Sequence, residues 1–203
     1  MGRASADLTA RDVGVVIPIR SFELGKARLA DELDAPARVA LARALAQTVL
    51  LAAGSRPVVV VSSAPDVLDW ARARGVTVLA DPGSLDGAAR AGVEWFAERG
   101  AARAVVAHGD LPLASSLDPV CSDASRPIAV IVPCHRDDGT TVLAVPTGGS
   151  FAFSYGPGSF RRHVAAAHAA GLAVRVVRDP ELAFDLDVPE DLAQLATPAR
   201  GAA

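Results

Sequence analysis

Ala104-Val105-Val106-Ala107-His108-Gly109-Asp110-Leu111-Pro112 is an apolar run that stops at a carboxylate and then a proline. Four successive apolar residues bounded by turn formers read as a strand buried on both faces, with Asp110 delivered at its C-terminal end. Far along the chain, Phe184-Asp185-Leu186-Asp187-Val188-Pro189-Glu190-Asp191 sets two carboxylates two residues apart. On an extended backbone that spacing sends both side chains from one face. If that face meets the end of the Val105 strand, Asp110, Asp185 and Asp187 converge. Three adjoining anions are unstable without a cation between them, so the expectation is a divalent ion, Mg²⁺, at a nucleotidyl-transfer site.

Outward from these stretches the chain alternates strand and helix. Residues 13–19 are nearly all apolar, as for a buried parallel strand. Helical spacing follows over 35–53, with Val39, Leu41, Leu45, Val49 and Leu50 in phase and Gly54 as the stop. Strands are expected at 57–61 and 76–79, and helices at 64–74 and 87–99, the latter after a turn-rich loop at 81–86. After Asp110 come a short helix over 111–123 with Ser115 or Ser116 near its start, a strand at 128–132, and a polar connection at 133–139. Residues 140–146 read as an antiparallel edge strand. Then follow a glycine- and aromatic-rich loop at 151–159, a helix at 160–170, a strand at 172–177 and a closing helix at 189–195. The pattern predicts an α/β fold, a three-layer αβα sandwich around a mostly parallel sheet. No repeat or linker divides it, so residues 1–203 form one domain with an ordered core at about 13–195 and a frayed tail after Thr197.

Composition narrows the function. The 203 residues are 51% apolar and carry a formal charge of −3, which suggests neither disorder nor a basic nucleic-acid surface. No apolar run approaches the ~20 residues that span a bilayer. The first dozen residues lack a signal-peptide pattern, so the expected location is cytoplasmic. Cys121 and Cys134 make neither a disulfide framework nor a metal quartet, and His108, His135 and His168 lack zinc spacing.

In an open α/β sheet ligands bind beyond the carboxyl ends of the strands. The loop after the first strand carries Arg20, Lys26 and Arg28 around Gly25, and places these cations where a triphosphate would lie. In Tyr155-Gly156-Pro157-Gly158-Ser159-Phe160-Arg161-Arg162-His163, two glycines allow close backbone approach. Free amides at a helix start, the Ser159 hydroxyl and the flanking arginines make an anion site, to which Gly139-Thr140-Thr141 adds a hydroxyl. Asp187, just before Pro189, is also well placed to cap the last helix.

Taken in order, Pro18-Ile19-Arg20 with Lys26-Ala27-Arg28-Leu29, Gly109-Asp110-Leu111-Pro112, Gly139-Thr140, Gly156-Pro157-Gly158-Ser159-Phe160 with His163, and Asp185-Leu186-Asp187-Val188-Pro189-Glu190-Asp191-Leu192 resemble the 2-phospholactate guanylyltransferase family of coenzyme F(420) biosynthesis. The resemblance runs from about Val13 to Leu195. It implies a fold of the nucleotide-diphospho-sugar transferase type (GT-A, Rossmann-like). It further implies transfer of GMP from GTP to 2-phospho-L-lactate, phosphoenolpyruvate or 3-phosphoglycerate, with release of pyrophosphate. By the same carry-over Asp110, Asp185 and Asp187 bind Mg²⁺; Arg20, Lys26, Arg28 and Asp86 belong to the GTP site; and Thr140, Gly156 and Ser159 hold the phosphoacid. Lys26, Arg28 and Asp110 are then the catalytic set. Arg20 stands where the family pattern has Lys, Ala27 where it has Thr, and Asp86 where it has Asn; residues 133–138 also depart from it. The implied partners are GTP, a small phosphoacid and a downstream transferase of the same pathway, with neither nucleic acid nor membrane; a homodimer stays open. So do a related cytidylyl- or molybdenum-cofactor-type nucleotidyltransferase and a silent nucleotide-binding protein.

Overall fold

A computed structural model describes residues 12–121 and 126–196. Strands β1 (Val13–Pro18), β2 (Val58–Val61), β3 (Thr77–Leu79), β4 (Arg103–Ala107), β5 (Ile128–Pro133), β6 (Thr140–Pro146) and β7 (Ala173–Val176) form one sheet in the order β3-β2-β1-β4-β6-β5-β7. Every pairing is parallel except those of β6 with β4 and β5. The central strands are apolar on both faces because both faces are covered. Val15, Ile17, Val105 and Ala107 point to one side, against α1 (Ala35–Ala52) and α2 (Pro65–Arg72). Val16, Ala104 and Val106 point to the other, against α3 (Leu85–Ala97) and α5 (Ser159–Ala169). Three layers result, as expected. Short helices α4 (Asp118–Cys121) and α6 (Pro180–Ala183) and the closing α7 (Pro189–Ala196) complete the chain. Among the described residues no helix is long and apolar enough to cross a membrane.

Three expectations change. β6 is antiparallel but internal, lying between β4 and β5 and buried from Thr140 to Val145. Its threonines suggest an edge, yet the four apolar residues Val142 to Val145 need cover on both faces. The helix expected over 111–123 shrinks to α4. Leu111 to Leu117 instead follows turns, with Leu117 N–H donating to the Ala52 carbonyl at 3.0 Å. Pro119 lacks the N–H that a helix running on from 111 would use at that point, and residues 122 and 123 lie outside the described residues, as does the tail after Thr197. Finally, α3 starts two residues early because the Ser84 hydroxyl accepts from Gly87 N–H at 3.1 Å and caps it. Asp86 therefore sits in a first helical turn, not a loop. The sequence also conceals α6, whose Asp179 cap accepts from Glu181 and Leu182 N–H.

Close packing between α3 and β1 sets the floor beneath the loops. A Cβ at Gly92 would stand 2.3 Å from Val16 Cγ1, and one at Gly14 would stand 2.3 Å from Phe96 Cδ1. Val16 is β-branched and fully buried, so it has no rotamer by which to yield. Gly92→Ala should therefore destabilise the protein by about 1–3 kcal/mol, although alanine favours a helix by ~1 kcal/mol. Urea denaturation measures this; an unchanged or higher midpoint contradicts it.

Candidate active site

Leu186 anchors the acidic segment. Its side chain is buried with Leu29 and Leu45, and its N–H donates to the Asp110 carbonyl at 3.2 Å. Leu29 belongs to a 3₁₀ turn, Ala27–Leu29, capped by Lys26 in a left-handed conformation (φ 55°, ψ 32°). A non-glycine residue there costs about 1–2 kcal/mol, and the Lys26 side chain shows what holds it. Nζ donates to Asp110 Oδ2 at 2.8 Å, the Leu186 carbonyl at 2.5 Å and Asp187 Oδ1 at 3.2 Å. An ammonium has three donors, so all are used, in a side chain only 8% exposed. Burial pulls the Lys26 pKa down, but Asp110 and Asp187 outweigh it and raise it. Burial likewise opposes ionisation of Asp110, and Lys26 overcomes it, holding that carboxyl below the ordinary range.

The three carboxylates do not meet at one point. Asp110 and Asp187 meet on Lys26, whereas Asp185 turns to His135, whose Nδ1 lies 3.1 Å from Asp185 Oδ1. Among the described residues no three His, Cys, Asp or Glu side chains are grouped to hold a metal ion. The donor set still fits a divalent cation electrostatically. Three carboxylates against one ammonium leave two negative charges in excess. Asp185 is held above the ordinary carboxylate range by burial and then by the charges of Asp110 and Asp187. Asp110 Oδ1 is buried without a hydrogen-bond partner.

A second layer fixes the acidic segment. Asp191, 1% exposed, accepts from Asp187 and Val188 N–H at 2.8 and 3.0 Å and pairs with Arg136. Burial opposes its ionisation, but those N–H groups and Arg136 lower its pKa. It, rather than Asp187, closes the start of α7. His135 stacks on Phe184 at 4.9 Å and sets its Nε2 3.3 Å from Asp191 Oδ1. Sequence reasoning missed His135, Arg136 and Asp191 as a unit. The polar, family-divergent connection before Gly139 was the available signal.

A cavity of about 330 Å³, in the size range of small-ligand sites, opens beside this cluster; Pro18, Arg20, Asp81, Ser84, His108 and Asp110 are among its walls. Arg20 is exposed there, and Arg28 is exposed on the 3₁₀ turn outside the lining. Asp86 Oδ1 accepts from Tyr155 N–H at 2.6 Å, so it ties α3 to the aromatic loop. Thr140 and Ser159 are buried beyond the lining residues. Tyr155 joins the two regions, with its ring 5.4 Å from His108 and 4.7 Å from His163.

The amides at the start of α5 are not free. Asp138 accepts from Gly158 N–H through its carboxylate and from Phe160 N–H through its carbonyl, while the Gly156 carbonyl takes Ser159 N–H. Arg162 is also committed: its guanidinium donates to the carbonyls of Ser154, Tyr155 and Pro157. The anion site expected there therefore rests on the hydroxyls of Thr140 and Ser159 and the backbone around Gly156, with Arg161 exposed on α5.

With this geometry in place, the comparisons with known proteins are specific. Residues 13–201 match the family model described as "Guanylyl transferase CofC like". The chain belongs to the CofC-like guanylyl transferase family. It is 38% identical over 190 residues to the phosphoenolpyruvate guanylyltransferase of Rubrobacter xylanophilus, covering 90% of this chain and 93% of the relative. It is 30% identical over 192 residues to the 2-phospho-L-lactate guanylyltransferase of Methanothermobacter thermautotrophicus, covering 92% and 85%. Among solved structures, one from Desulfovibrio desulfuricans G20, provisionally described as a nucleotide-diphospho-sugar transferase, superposes with TM-score 0.77 at 16% identity, covering 97% of this chain and 90% of that one. CMP:2-keto-3-deoxy-manno-octonic acid synthetase superposes with TM-score 0.54 at 15% identity, covering 91% and 96%. At those identities the structures speak for the fold: the nucleotidyltransferase sheet expected from the sequence.

His163 gives the site a stability signature. Burial pushes its pKa down to about 4, with Asp86 opposing the shift. In the unfolded chain the value is near ~6.5, so between those two values the unfolded chain binds a proton that the folded one refuses. The stability tied to the neutral ring is complete above about pH 6.5 and is lost as pH falls toward about 4, by at most about 3 kcal/mol. Between about pH 7 and about pH 4.5, His163→Gln should lose less stability than the wild type in urea denaturation; equal losses contradict the assignment.

Proposed function

We propose that this family member transfers GMP from GTP to the phosphate of a three-carbon phosphoacid, releasing pyrophosphate, in coenzyme F(420) biosynthesis. The observation that carries the reading is the Lys26–Asp110–Asp187 cluster beside the Arg20 cavity, in a chain whose family match runs from 13 to 201. Phosphoenolpyruvate is the first acceptor to test, ahead of 2-phospho-L-lactate and 3-phosphoglycerate. Relatives at 38% and 34% identity carry the phosphoenolpyruvate name, against 30% for the phospholactate enzyme.

An acceptor phosphate is already anionic, so displacement at the α-phosphorus needs no general base. The task left to the protein is to hold two mutually repelling anions in line and offset the charge that develops on pyrophosphate. Arg20, exposed in the cavity wall, meets the triphosphate, with Arg28 on the adjoining turn. Lys26 keeps Asp110 ionised and holds Asp110 and Asp187 in place; a phosphate reaches its ammonium by exchanging with one of its three present partners. Thr140 and Ser159 bind the phosphoacid through their hydroxyls, and Gly156 through its backbone. Asp110, Asp185 and Asp187 would hold Mg²⁺, which when bound supplies Lewis-acid neutralisation of phosphate charge.

Pyrophosphate release from GTP, ATP, CTP or UTP, each paired with each acid, tests this reading. Turnover should require GTP, one of the three acids and Mg²⁺, and chelation by EDTA should abolish it. Turnover only with another nucleotide, or with none, contradicts it. Asp187→Asn and Lys26→Met should each lower kcat by roughly 10²–10³-fold, the usual scale for removing one preorganised charge from a transition state. Near-wild-type turnover of Asp187→Asn rules out its assigned role.

A further inference from the structure

We infer that His163 is a positioning residue for the acceptor: fixed as its Nδ1–H tautomer, it donates to Thr140 Oγ1 and so commits the Thr140 hydroxyl proton to an anionic group of the phosphoacid. The inference rests on the proposed function and assigns His163 a task within it.

His163 lies on α5 with no exposed surface. Its ring stands between Phe151 and Tyr155, at 5.9 and 4.7 Å. Nε2 lies 3.0 Å from Ser154 N. A backbone N–H can only donate, so Nε2 must present its lone pair. A neutral imidazole then carries its single proton on Nδ1. Burial keeps the ring neutral, with its pKa down at about 4. Nδ1 is 3.0 Å from Thr140 Oγ1, and with the proton assigned the direction follows: histidine donates and threonine accepts.

The consequence falls on Thr140. One lone pair of its hydroxyl is taken, and its own proton needs an acceptor. The side chain is 2% exposed, and among the described residues no carbonyl or carboxylate accepts that proton. Neighbouring Thr141 differs: its hydroxyl donates to the Val132 carbonyl at 3.3 Å. A buried donor left unsatisfied is costly, so Thr140 favours a ligand oxygen that can only accept. Phosphate and carboxylate oxygens meet that condition, and a phosphoacid carries both. The polarity is set further upstream. Arg162 donates to the Ser154 hydroxyl and carbonyl and to the Tyr155 carbonyl, fixing the segment whose N–H selects the tautomer.

The test combines a spectrum with two isosteric variants. Nitrogen-15 NMR of the histidines in the wild type should show His163 protonated on Nδ1 and unprotonated on Nε2. His163→Gln keeps an acceptor near the Nε2 position but loses the donor to Thr140. His163→Asn keeps a donor near the Nδ1 position. His163→Gln should raise KM for the phosphoacid roughly 5- to 100-fold, the scale of one unsatisfied buried donor, with KM for GTP unchanged and a much smaller fall in kcat. His163→Asn should stay within a few-fold of wild type. Thr140→Val, which leaves the histidine in place, should match His163→Gln, and serves if the latter does not fold. A proton on Nε2 overturns the inference whatever the activity. So do equal acceptor KM values for His163→Gln and His163→Asn, or a parallel rise in KM for GTP. A wild type that turns over none of the acids overturns the proposed function and with it the anionic recipient; the wild-type spectrum shows whether the tautomer assignment failed as well.

Discussion

A buried ammonium between carboxylates governs the functional end of this molecule. Lys26 reaches from the first βα loop to Asp110 on the β4 end and to the Leu186 carbonyl and Asp187 near the C-terminus. For Lys26 and Asp110, whose side chains are 8% and 25% exposed, removing one partner leaves a charge largely out of water, at a typical cost of about 3–5 kcal/mol; the pair with Asp187, 44% exposed, contributes less. Together these contacts offset the left-handed backbone at Lys26 and draw together segments 84 and 161 residues apart in sequence. The scaffold beneath it is the β1–β4 pairing, which sets the two loops side by side.

Around this centre the chain satisfies its own polar groups so thoroughly that few remain for a ligand. Asp138 and Gly156 occupy the amides at the start of α5, and Arg162 is spent on the loop before it. What remains unsatisfied therefore carries weight. Asp110 Oδ1 and His108 Nε2 are buried without partners, and both residues belong to the cavity wall. Other buried atoms without partners, Trp70 Nε1 among them, lie away from the cavity, but these two stand at its wall at the carboxyl end of β4, where α/β sheets bind their ligands.

Much of the architecture was legible in the sequence because two-sided burial writes long apolar runs. Val13 to Ile17 and Ala104 to Ala107 are short for helices and valine-rich, which favours strands, and Gly54 and Gly100 mark the stops between elements. The place of β6 was not legible, since Thr140 and Thr141 mimic an edge strand and strand order leaves no local trace. Among the site residues, spacing pointed to Asp110, Asp185 and Asp187 as one cluster, but it set Lys26 apart with Arg20 and Arg28. That Lys26 spends all three donors on the acidic segment, and that Asp185 turns to His135, depend on contacts between segments more than 40 residues apart in sequence. Asp191 lies in the first turn of α7, where any carboxylate suits the helix dipole; its capping role requires the chain to fold back on Asp187, which spacing alone does not show.

A double-mutant cycle in stability tests the central interaction most directly, using Lys26→Met, Asp110→Asn and the pair. The account predicts that the two losses are non-additive, with a coupling of at least ~1 kcal/mol, because Lys26→Met leaves Asp110 without its cation and Asp110→Asn leaves Lys26 with Asp187 as its one carboxylate. Losses that add within about 0.5 kcal/mol would contradict it and leave Lys26 without its organising role.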